Sequence, residues 1–301
     1  MSNSVLDPHE VPLKSYWQRA PVLLKGRALE FAAGVDWVQR AKTWCRAPVK
    51  SRLFTLQDEV ATGAARCALV PNPMTAYRYF ERFAREGERL TLLLNHVDKV
   101  SMETVRLREA LNIGRKWRHD DIVATVSTRD SGIGFHAGHE DGFIVQLSGA
   151  REWLVWDPDV LPEDYRLFLL GHPKKRTVAT PPRPSRTADY RFALQQGDVL
   201  YLPALFGHEG RTVSLSVSLS IGWRGVNAWR LMSDALGSVD FDDSSISHRV
   251  ALFDLIPDPT DEMAAGDYLS AIIERAADVL GIGDSQRLLV KEALARRFSG
   301  N

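Results

Sequence analysis

The sequence predicts a mainly β protein with helical flanks, in which short strands close into a barrel. Short apolar runs, separated by Gly, Asp and Ser turns, follow one another from Asp121 onward. Residues 212–221 alternate strictly between apolar side chains and serine or threonine, which is the pattern of a strand with two different faces. Helical spacing flanks this region on both sides. Many short strands at close spacing favour a barrel over a parallel sheet.

The N-terminal flank is predicted to be mainly helical. A short buried strand at 21–24 is stopped by Gly26. Residues 30–85 have mostly helical spacing, a strand follows at 89–94, and a helix at 102–111. The flank therefore contributes few strands in this prediction.

The predicted barrel strands lie at 122–127, 143–147, 152–156 and 199–202, each bounded by turn residues. Residues 161–191 are rich in Pro and Arg and are predicted to form a long surface loop. This loop would interrupt the barrel between its third and fourth strands.

The alternating run at 212–221 places its apolar residues and its serines on opposite faces of one strand. The apolar face consists of Val213, Leu215, Val217, Leu219 and Ile221, and the serine face of Ser214, Ser216, Ser218 and Ser220. The serine face could be exposed to water, or it could form a hydroxyl-lined wall inside the barrel that holds a polar ligand. Spacing alone leaves both interpretations open.

The C-terminal part of the chain returns to helical spacing. An amphipathic helix is predicted at 267–280, where Gly281 stops it, and a second at 285–298. The chain is thus divided into a barrel domain with its flank, 1–225, and a C-terminal helical segment, 226–301. This segment is a candidate for homodimerisation.

Composition excludes some partners and favours a compartment. Lys plus Arg and Asp plus Glu both number 38 in 301 residues, so no net field recruits nucleic acid or an anionic membrane. The two cysteines, Cys45 and Cys67, form no CxxC pair and fit a reducing environment. The start of the chain lacks the pattern of a secretory signal, and the expectation is a cytoplasmic protein.

Two histidines are candidates for metal ligands. His136 lies among Gly132, Gly134 and Gly138, and His208 follows the end of a predicted strand 72 positions later. A mononuclear iron site of the oxygenase kind needs two imidazoles and one carboxylate. Ordinary packing or surface roles are the alternative, since eight histidines in the chain make chance pairs easy.

Several motifs in order carry a family resemblance. Gly132-Ile-Gly-Phe-His136, Asp141-Gly-Phe and Gly197-Asp198-Val-Leu-Tyr-Leu-Pro, preceded by Tyr16-Trp17-Gln18, resemble the JmjC-type 2-oxoglutarate oxygenases. The resemblance is closest to the cupin-like bacterial ribosomal protein hydroxylases. It implies a double-stranded β-helix, the jelly-roll barrel of cupins, and an enzyme that hydroxylates a protein, peptide or amino-acid side chain.

The resemblance also implies cofactors and residue roles. His136 and His208 would bind iron(II), and Arg151 would pair with the far carboxylate of 2-oxoglutarate, for which its planar fork is suited. Ser220, with Ser218 as the second choice, would add a hydroxyl contact to 2-oxoglutarate.

The third iron ligand departs from the family pattern, because Gly138 stands where the family has a carboxylate. Glu140 or Asp141 could supply the missing ligand, with His139-Glu140-Asp141 restoring the His-x-Asp spelling. Alternatively, chloride could fill the vacancy, as in 2-oxoglutarate-dependent halogenases. A third interpretation is a weakened site in a non-catalytic binding protein.

Overall fold

The computed structural model describes residues 16, 18–56, 65–111, 119–169 and 178–223. By internal contacts the chain divides into two units, one of 1–160 with 180–224 and the other of 161–179 with 225–301. The predicted C-terminal helices and their role in dimerisation lie outside the described residues. The division into domains 1–225 and 226–301 therefore stays a prediction.

The described residues contain eleven strands. They are β1 (Val22–Leu24), β2 (Lys50–Leu56), β3 (Ala65–Val70), β4 (Leu90–Asn95), β5 (His119–Ser127), β6 (Asp141–Ser148), β7 (Arg151–Trp156), β8 (Tyr190–Leu194), β9 (Val199–Leu202), β10 (Gly207–Thr212) and β11 (Ser216–Trp223). The α-helices are α1 (Leu29–Ala32), α2 (Trp37–Trp44), α3 (Pro73–Arg85), α4 (Met102–Leu111) and α5 (Glu163–Leu169), with 3-10 turns at Val97–Lys99 and Pro158–Val160.

The strands form two antiparallel sheets. The larger sheet has the order β1-β9-β6-β11-β5-β4-β2-β3, and the smaller one the order β10-β7-β8. The prediction of a mainly β protein with helices in its N-terminal flank is confirmed. None of the helices among these residues has the length and apolar character needed to cross a membrane.

Strand β11 separates an apolar face from a hydroxyl face. Val217 and Leu219 are completely buried, while Ser218 on the other face lies within hydrogen-bond distance of Arg151 in the smaller sheet. The serine face therefore points between the two sheets, which is the second of the two interpretations left open by the sequence. The strand begins only at Ser216, however, because 213–215 form the turn between β10 and β11.

The expectation that 30–85 is mainly helical is wrong in its middle part. Helix α2 ends at Trp44, and Pro48 disfavours helix for the residue before it. The chain then forms β2 and β3, which pair with each other and, through β4, extend the larger sheet. Residues 50–56 form a strand because their backbone pairs with β4, and the spacing of apolar residues within the segment does not indicate this pairing.

The predicted surface loop at 161–191 also contains regular structure. It holds α5, and its last residues start β8, in which Tyr190, Phe192 and Leu194 alternate toward one face. Residues 178–189 form neither helix nor strand, as expected.

Asp198 ties the N-terminal strand to the turn before β9. Its carboxylate is buried and accepts hydrogen bonds from the backbone N–H of Gly26 at 2.8 Å and of Gln195 at 2.9 Å. We expect Asp198→Ala to lower the free energy of unfolding by about 1–3 kcal/mol, since two inward N–H groups lose their acceptor. Urea unfolding measures this. Asp159→Ala, which removes an exposed ion pair with Arg186, should cost less than about 1 kcal/mol; equal losses in the two variants would contradict the role of Asp198.

Candidate functional site

A two-residue backbone bridge brings the two candidate histidines together. The N–H of His136 donates to the carbonyl of His208 at 3.0 Å, and the N–H of His208 donates to the carbonyl of His136 at 2.8 Å. His208 lies in β10 of the smaller sheet, while His136 precedes β6 of the larger one. The bridge therefore sets both side chains side by side on one face of the backbone pair, with ring centroids 4.2 Å apart.

The hydrogen bonds of the two rings define their tautomers. Nδ1 of His136 lies 3.0 Å from the carbonyl oxygen of Gly134, and Nδ1 of His208 lies 2.9 Å from that of Phe206. A carbonyl only accepts hydrogen bonds, so each Nδ1 carries the proton and donates. In the neutral rings each Nε2 is then left with a bare lone pair.

The two bare nitrogens face each other. Nε2 of His136 lies 3.1 Å from Nε2 of His208. Two acceptors at this distance gain nothing from each other, but two imidazoles bound at right angles to one metal ion, each about 2.1 Å from it, stand about 3.0 Å apart. The pair thus fits two positions of a mononuclear metal site.

Burial keeps both rings neutral. Burial lowers the pKa of His136, and the positive charges of Arg151 and Arg52 lower it further against the effect of the Gly134 carbonyl. Burial and the neighbouring ring lower the pKa of His208 to about 3. At neutral pH, protons therefore do not compete with a metal for these nitrogens.

The position predicted to be vacant is open. A Cβ built on Gly138 would meet only the backbone N and O of Glu140, both at 3.8 Å, which is ordinary contact. The carbonyl of Gly138 accepts from the N–H of Leu205 at 2.8 Å, so this loop is held against the segment that leads to His208. In the described part of the chain, no third His, Cys, Asp or Glu joins the imidazole pair to form a metal cluster.

Asp141, one of the two acids expected to replace the missing ligand, is engaged elsewhere. Its carboxylate is completely buried and accepts from the hydroxyl of Tyr201 at 2.7 Å and from the backbone N–H of Ala204 at 3.3 Å. The side-chain amide of Gln18 donates to its second oxygen at 3.0 Å. These donors offset the cost of burying the charge, and they hold the carboxylate in a structural network that joins the N-terminal segment to β6 and β9.

Glu140, the other expected acid, is also directed away from the pair. Its Oε1 lies 3.1 Å from Nε2 of His139, and its Oε2 lies so close over Gly222 that a side chain there would collide with it. Burial raises the pKa of Glu140; His139 lowers it in part and Asp120 raises it. Neither Glu140 nor Asp141 is thus brought to the imidazole pair in this arrangement.

Arg151 is a buried cation at the other end of the same strands. Only 4% of its surface is exposed, and burial lowers its pKa to about 10. Its guanidinium donates to the hydroxyls of Ser218 at 3.4 Å and Ser127 at 3.3 Å, and it lies 5.3 Å from the ring centroid of Trp153. Within the described ranges no carboxylate pairs with it. A buried charge of this kind calls for an anionic partner, because desolvation is otherwise uncompensated.

The serine hydroxyl that lies beside Arg151 is that of Ser218, the second of the two predicted candidates, and not that of Ser220. Ser218 contacts the guanidinium, whereas Ser220, one pleat further along β11, makes no hydrogen bond to it. Ser127 on β5 was missed, although it ends a predicted strand. Its partner Thr91, at 3.1 Å, belongs to β4, so only the pairing of three strands reveals the contact.

On the same faces of β6, β7, β10 and β11 as this cation lie buried polar atoms that have no hydrogen-bond partner in the described part of the protein. They are Nε of Arg151, Nε1 of Trp153, Oε1 of Gln146, Oγ of Ser148, Oγ1 of Thr212 and Oγ of Ser216. Such a set is satisfied by water or by a polar ligand. Arg151 pairs with Thr212 and Val155 with His208, so the cation and the imidazoles are four residues apart along the same strands, about 13 Å between Cα atoms.

The chain matches a known protein family. The family described as JmjC domain matches residues 106–231. The ribosomal protein uL16 3-hydroxylase of Escherichia coli is 26% identical over 261 residues, which cover 83% of this chain and 64% of that protein. The probable ribosomal oxygenase of Haemophilus influenzae is 23% identical over 231 residues, covering 74% and 51%. The chain thus spans less than two thirds of the length of both relatives.

Solved structures share the fold. The crystal structure of YcfD from Escherichia coli superposes with a TM-score of 0.58 at 24% identity, covering 91% of this chain and 68% of that one. The structure of YcfD, a ribosomal oxygenase, in complex with cobalt and 2-oxoglutarate has a TM-score of 0.57 at 23% identity, covering 94% and 68%. The predicted JmjC-type cupin barrel is therefore confirmed.

The depressed pKa of His208 makes the stability of the metal-free protein depend on pH. An unfolded histidine takes up a proton below about pH 6.5, whereas the folded ring does so only near its pKa of about 3. Stability is therefore complete above about pH 6.5 and falls as the pH drops below it. Between pH 7 and 5.5 we expect the wild type to lose about 1 kcal/mol more than His208→Gln in urea unfolding. His139→Gln, which changes an exposed ring, should keep the wild-type loss; equal losses in His208→Gln and wild type would contradict the burial argument.

Proposed function

Because the chain contains a JmjC domain and is homologous to ribosomal oxygenases, we propose that it is an iron(II)- and 2-oxoglutarate-dependent oxygenase that hydroxylates a protein side chain. The relatives are named as a hydroxylase of a ribosomal protein and a probable ribosomal oxygenase, which supports a protein substrate over a free amino acid. Nothing in these names supports the halogenase alternative.

The observation that carries the proposal is the pair of bare imidazole nitrogens. Both Nδ1 atoms are fixed by carbonyl groups, and both Nε2 atoms converge at 3.1 Å with no proton between them. The carbonyl bonds hold each ring in one orientation and in the tautomer that binds a metal, so the site is preorganised. Packing alone does not explain this contact, because two Nε2 atoms that both accept hydrogen bonds gain nothing from lying 3.1 Å apart.

Arg151 supports the choice of 2-oxoglutarate as co-substrate. The guanidinium would grip the far carboxylate, with Ser218 and Ser127 holding the fork in place. Between Arg151 and the imidazoles, the inner face of β7 carries Trp153, whose ring centroid lies 5.8 Å from that of His208. When bound, iron(II) and 2-oxoglutarate supply the activation of dioxygen, and 2-oxoglutarate leaves as succinate and carbon dioxide.

The third metal position must be filled from outside the imidazole pair. Gly138 has an ordinary backbone and open space at its Cβ, so water or a small anion such as chloride fits where the family has a carboxylate. A site with two neutral protein ligands binds metal more weakly than one with an added carboxylate, and it depends on the ligands that solution supplies.

Metal binding tests the proposal directly. Cobalt(II), followed by its visible absorption, should bind the wild type in one equivalent, and His136→Ala or His208→Ala should each weaken binding at least about 100-fold, since each removes half of the protein ligands. His139→Ala, three residues from His136, should bind as the wild type does. Iron(II)-loaded protein with dioxygen should convert 2-oxoglutarate to succinate. Cobalt binding that survives both alanine variants would rule out this site.

The co-substrate site has its own test. We expect Arg151→Gln to weaken the binding of 2-oxoglutarate to the cobalt-loaded protein at least about tenfold, because a charge-assisted pair is worth about 1.5–3 kcal/mol. Titration calorimetry measures the dissociation constant, and cobalt affinity in the absence of 2-oxoglutarate should stay near the wild-type value. Arg191→Gln removes an exposed arginine from β8 and serves as the control. Unchanged 2-oxoglutarate affinity in Arg151→Gln would mean that the dicarboxylate is held elsewhere.

A further inference from the structure

Three buried hydroxyl groups lie in a row next to Arg151. Oγ of Ser127, which accepts from the guanidinium at 3.3 Å, lies 3.1 Å from Oγ1 of Thr91. Oγ1 of Thr91 lies in turn 3.1 Å from Oγ of Ser131. Thr91 and Ser127 are completely buried and Ser131 nearly so, and bulk water therefore does not compete for these bonds. Ser127, Thr91 and Ser131 are called the hydroxyl row below.

The far end of the hydroxyl row fixes the direction of its hydrogen bonds. Oγ of Ser131 lies 2.7 Å from the carbonyl oxygen of Thr128 and 2.9 Å from that of Leu90. A carbonyl oxygen only accepts, and a hydroxyl group has a single proton, so the proton of Ser131 is committed to these two oxygens. Ser131 therefore has only a lone pair left for Thr91, and Thr91 is the donor in the bond between them.

The same count of protons assigns every bond along the hydroxyl row. Because Thr91 donates its proton to Ser131, the proton in the bond between Ser127 and Thr91 comes from Ser127. Ser127 therefore presents only lone pairs to Arg151, whose guanidinium has only donors. A hydroxyl group that donates in this way is also a stronger acceptor, because hydrogen bonds in a chain polarise one another.

The backbone fixes the hydroxyl row to the smaller sheet. The carbonyl of Ser131 accepts from the N–H of Thr212 at 3.0 Å, and Thr212 is directly opposite Arg151 where β10 pairs with β7. The next residue, Gly132, lies so close to the carbonyl oxygen of Gly210 that a side chain there would collide with it. The last hydroxyl of the row is thus held beside the strand that carries the guanidinium.

Ser218 contacts the same guanidinium in a different way. It accepts from the other arm of Arg151 at 3.4 Å, and none of the described residues accepts the proton of its hydroxyl group. That proton is available for a carboxylate ligand, whereas the proton of Ser127 is committed to Thr91. Ser218 can therefore contact a ligand directly, while Ser127 acts through Arg151.

We propose that Thr91 is a positioning residue for 2-oxoglutarate: by accepting the proton of Ser127, it keeps that serine as an acceptor that holds the guanidinium of Arg151 ready for the far carboxylate. This inference rests on the proposed function, because it requires Arg151 to bind the dicarboxylate. Without the hydroxyl of Thr91, the proton of Ser127 is free to turn toward the guanidinium, which repels it. Nε of Arg151, which has no partner in the described part of the protein, is among the donors left for the ligand.

Calorimetric titration of the cobalt-loaded protein with 2-oxoglutarate tests this inference. Thr91→Val keeps the shape of the side chain without its hydroxyl group and should weaken 2-oxoglutarate binding at least about fivefold, since the net effect of one hydrogen bond is lost. Thr91→Ser restores the hydroxyl group and should bind 2-oxoglutarate as the wild type does. Cobalt affinity in the absence of 2-oxoglutarate should be unchanged in both variants, whereas a general disturbance of the barrel would lower it.

Thr104→Val is the matched control. Thr104 is as deeply buried as Thr91, and its hydroxyl group donates to the carbonyl of Ser101 at 2.8 Å, at the start of α4 and not in the hydroxyl row. This variant removes a buried threonine hydroxyl and should leave 2-oxoglutarate affinity unchanged. An equal loss in Thr104→Val and Thr91→Val would reduce the effect to the removal of any buried hydroxyl group and overturn the proposal.

A double-mutant cycle tests the route from Thr91 to the guanidinium. Because Thr91 acts through Ser127, Thr91→Val should cause no further loss of 2-oxoglutarate affinity in the Ser127→Ala background. Additive losses would overturn the proposal. If Thr91→Val does not fold, Thr91→Cys, whose sulfur is a weak acceptor, takes its place with the same expected loss.

Arg151→Gln separates a failure of this inference from a failure of the proposed function. If Arg151→Gln leaves 2-oxoglutarate binding unchanged, the dicarboxylate site itself is wrong, and the positioning role of Thr91 with it. If Arg151→Gln weakens binding while Thr91→Val binds as the wild type does, only the role of Thr91 is overturned.

Discussion

The backbone bridge between His136 and His208 is the constraint on which the site depends. It joins the loop before β6 to β10, two segments that belong to different sheets, by two short hydrogen bonds. In this register both rings lie on the same face and each Nδ1 reaches the carbonyl two residues earlier in its own segment. A slip by one residue would turn one ring to the opposite face and separate the nitrogens.

The buried carboxylate of Asp141 stabilises the arrangement of the two histidines but does not supply the third metal ligand. The carboxylate of Asp141 accepts hydrogen bonds from Tyr201, Ala204 and Gln18. These bonds hold β6, which follows His136, against the segment that leads to His208. Moving the carboxylate to a metal would leave three donors inside the protein without an acceptor, at a cost of several kcal/mol. The run His139-Glu140-Asp141 resembles a metal-ligand motif, but the cost of leaving buried donors without an acceptor keeps Asp141 in its structural hydrogen bonds.

Arg151 is a buried cation that has no carboxylate partner among the residues that the structure describes. The two imidazoles, four residues further along the same strands, are kept neutral by burial, which lowers the pKa of both. A site of this kind gains binding energy from anionic ligands and loses little to protonation. The charge of the ligands therefore has a larger influence here than in a site that contains its own carboxylate.

The sequence by itself determined the fold class, because strand alternation and the order of the motifs can be recognised without a structure, and it predicted the two histidines and, through the family resemblance, Arg151 as site residues. It also predicted Gly138 as the position where the chain departs from the pattern of the family that it resembles. Tertiary structure alone decided that 50–56 pairs as a strand, that Ser218 and not Ser220 meets Arg151, that Ser127 joins them, and that Asp141 is structural. Each of these depends on which residues of distant strands stand opposite each other, and strand register is a property of the assembled sheets rather than of any one segment.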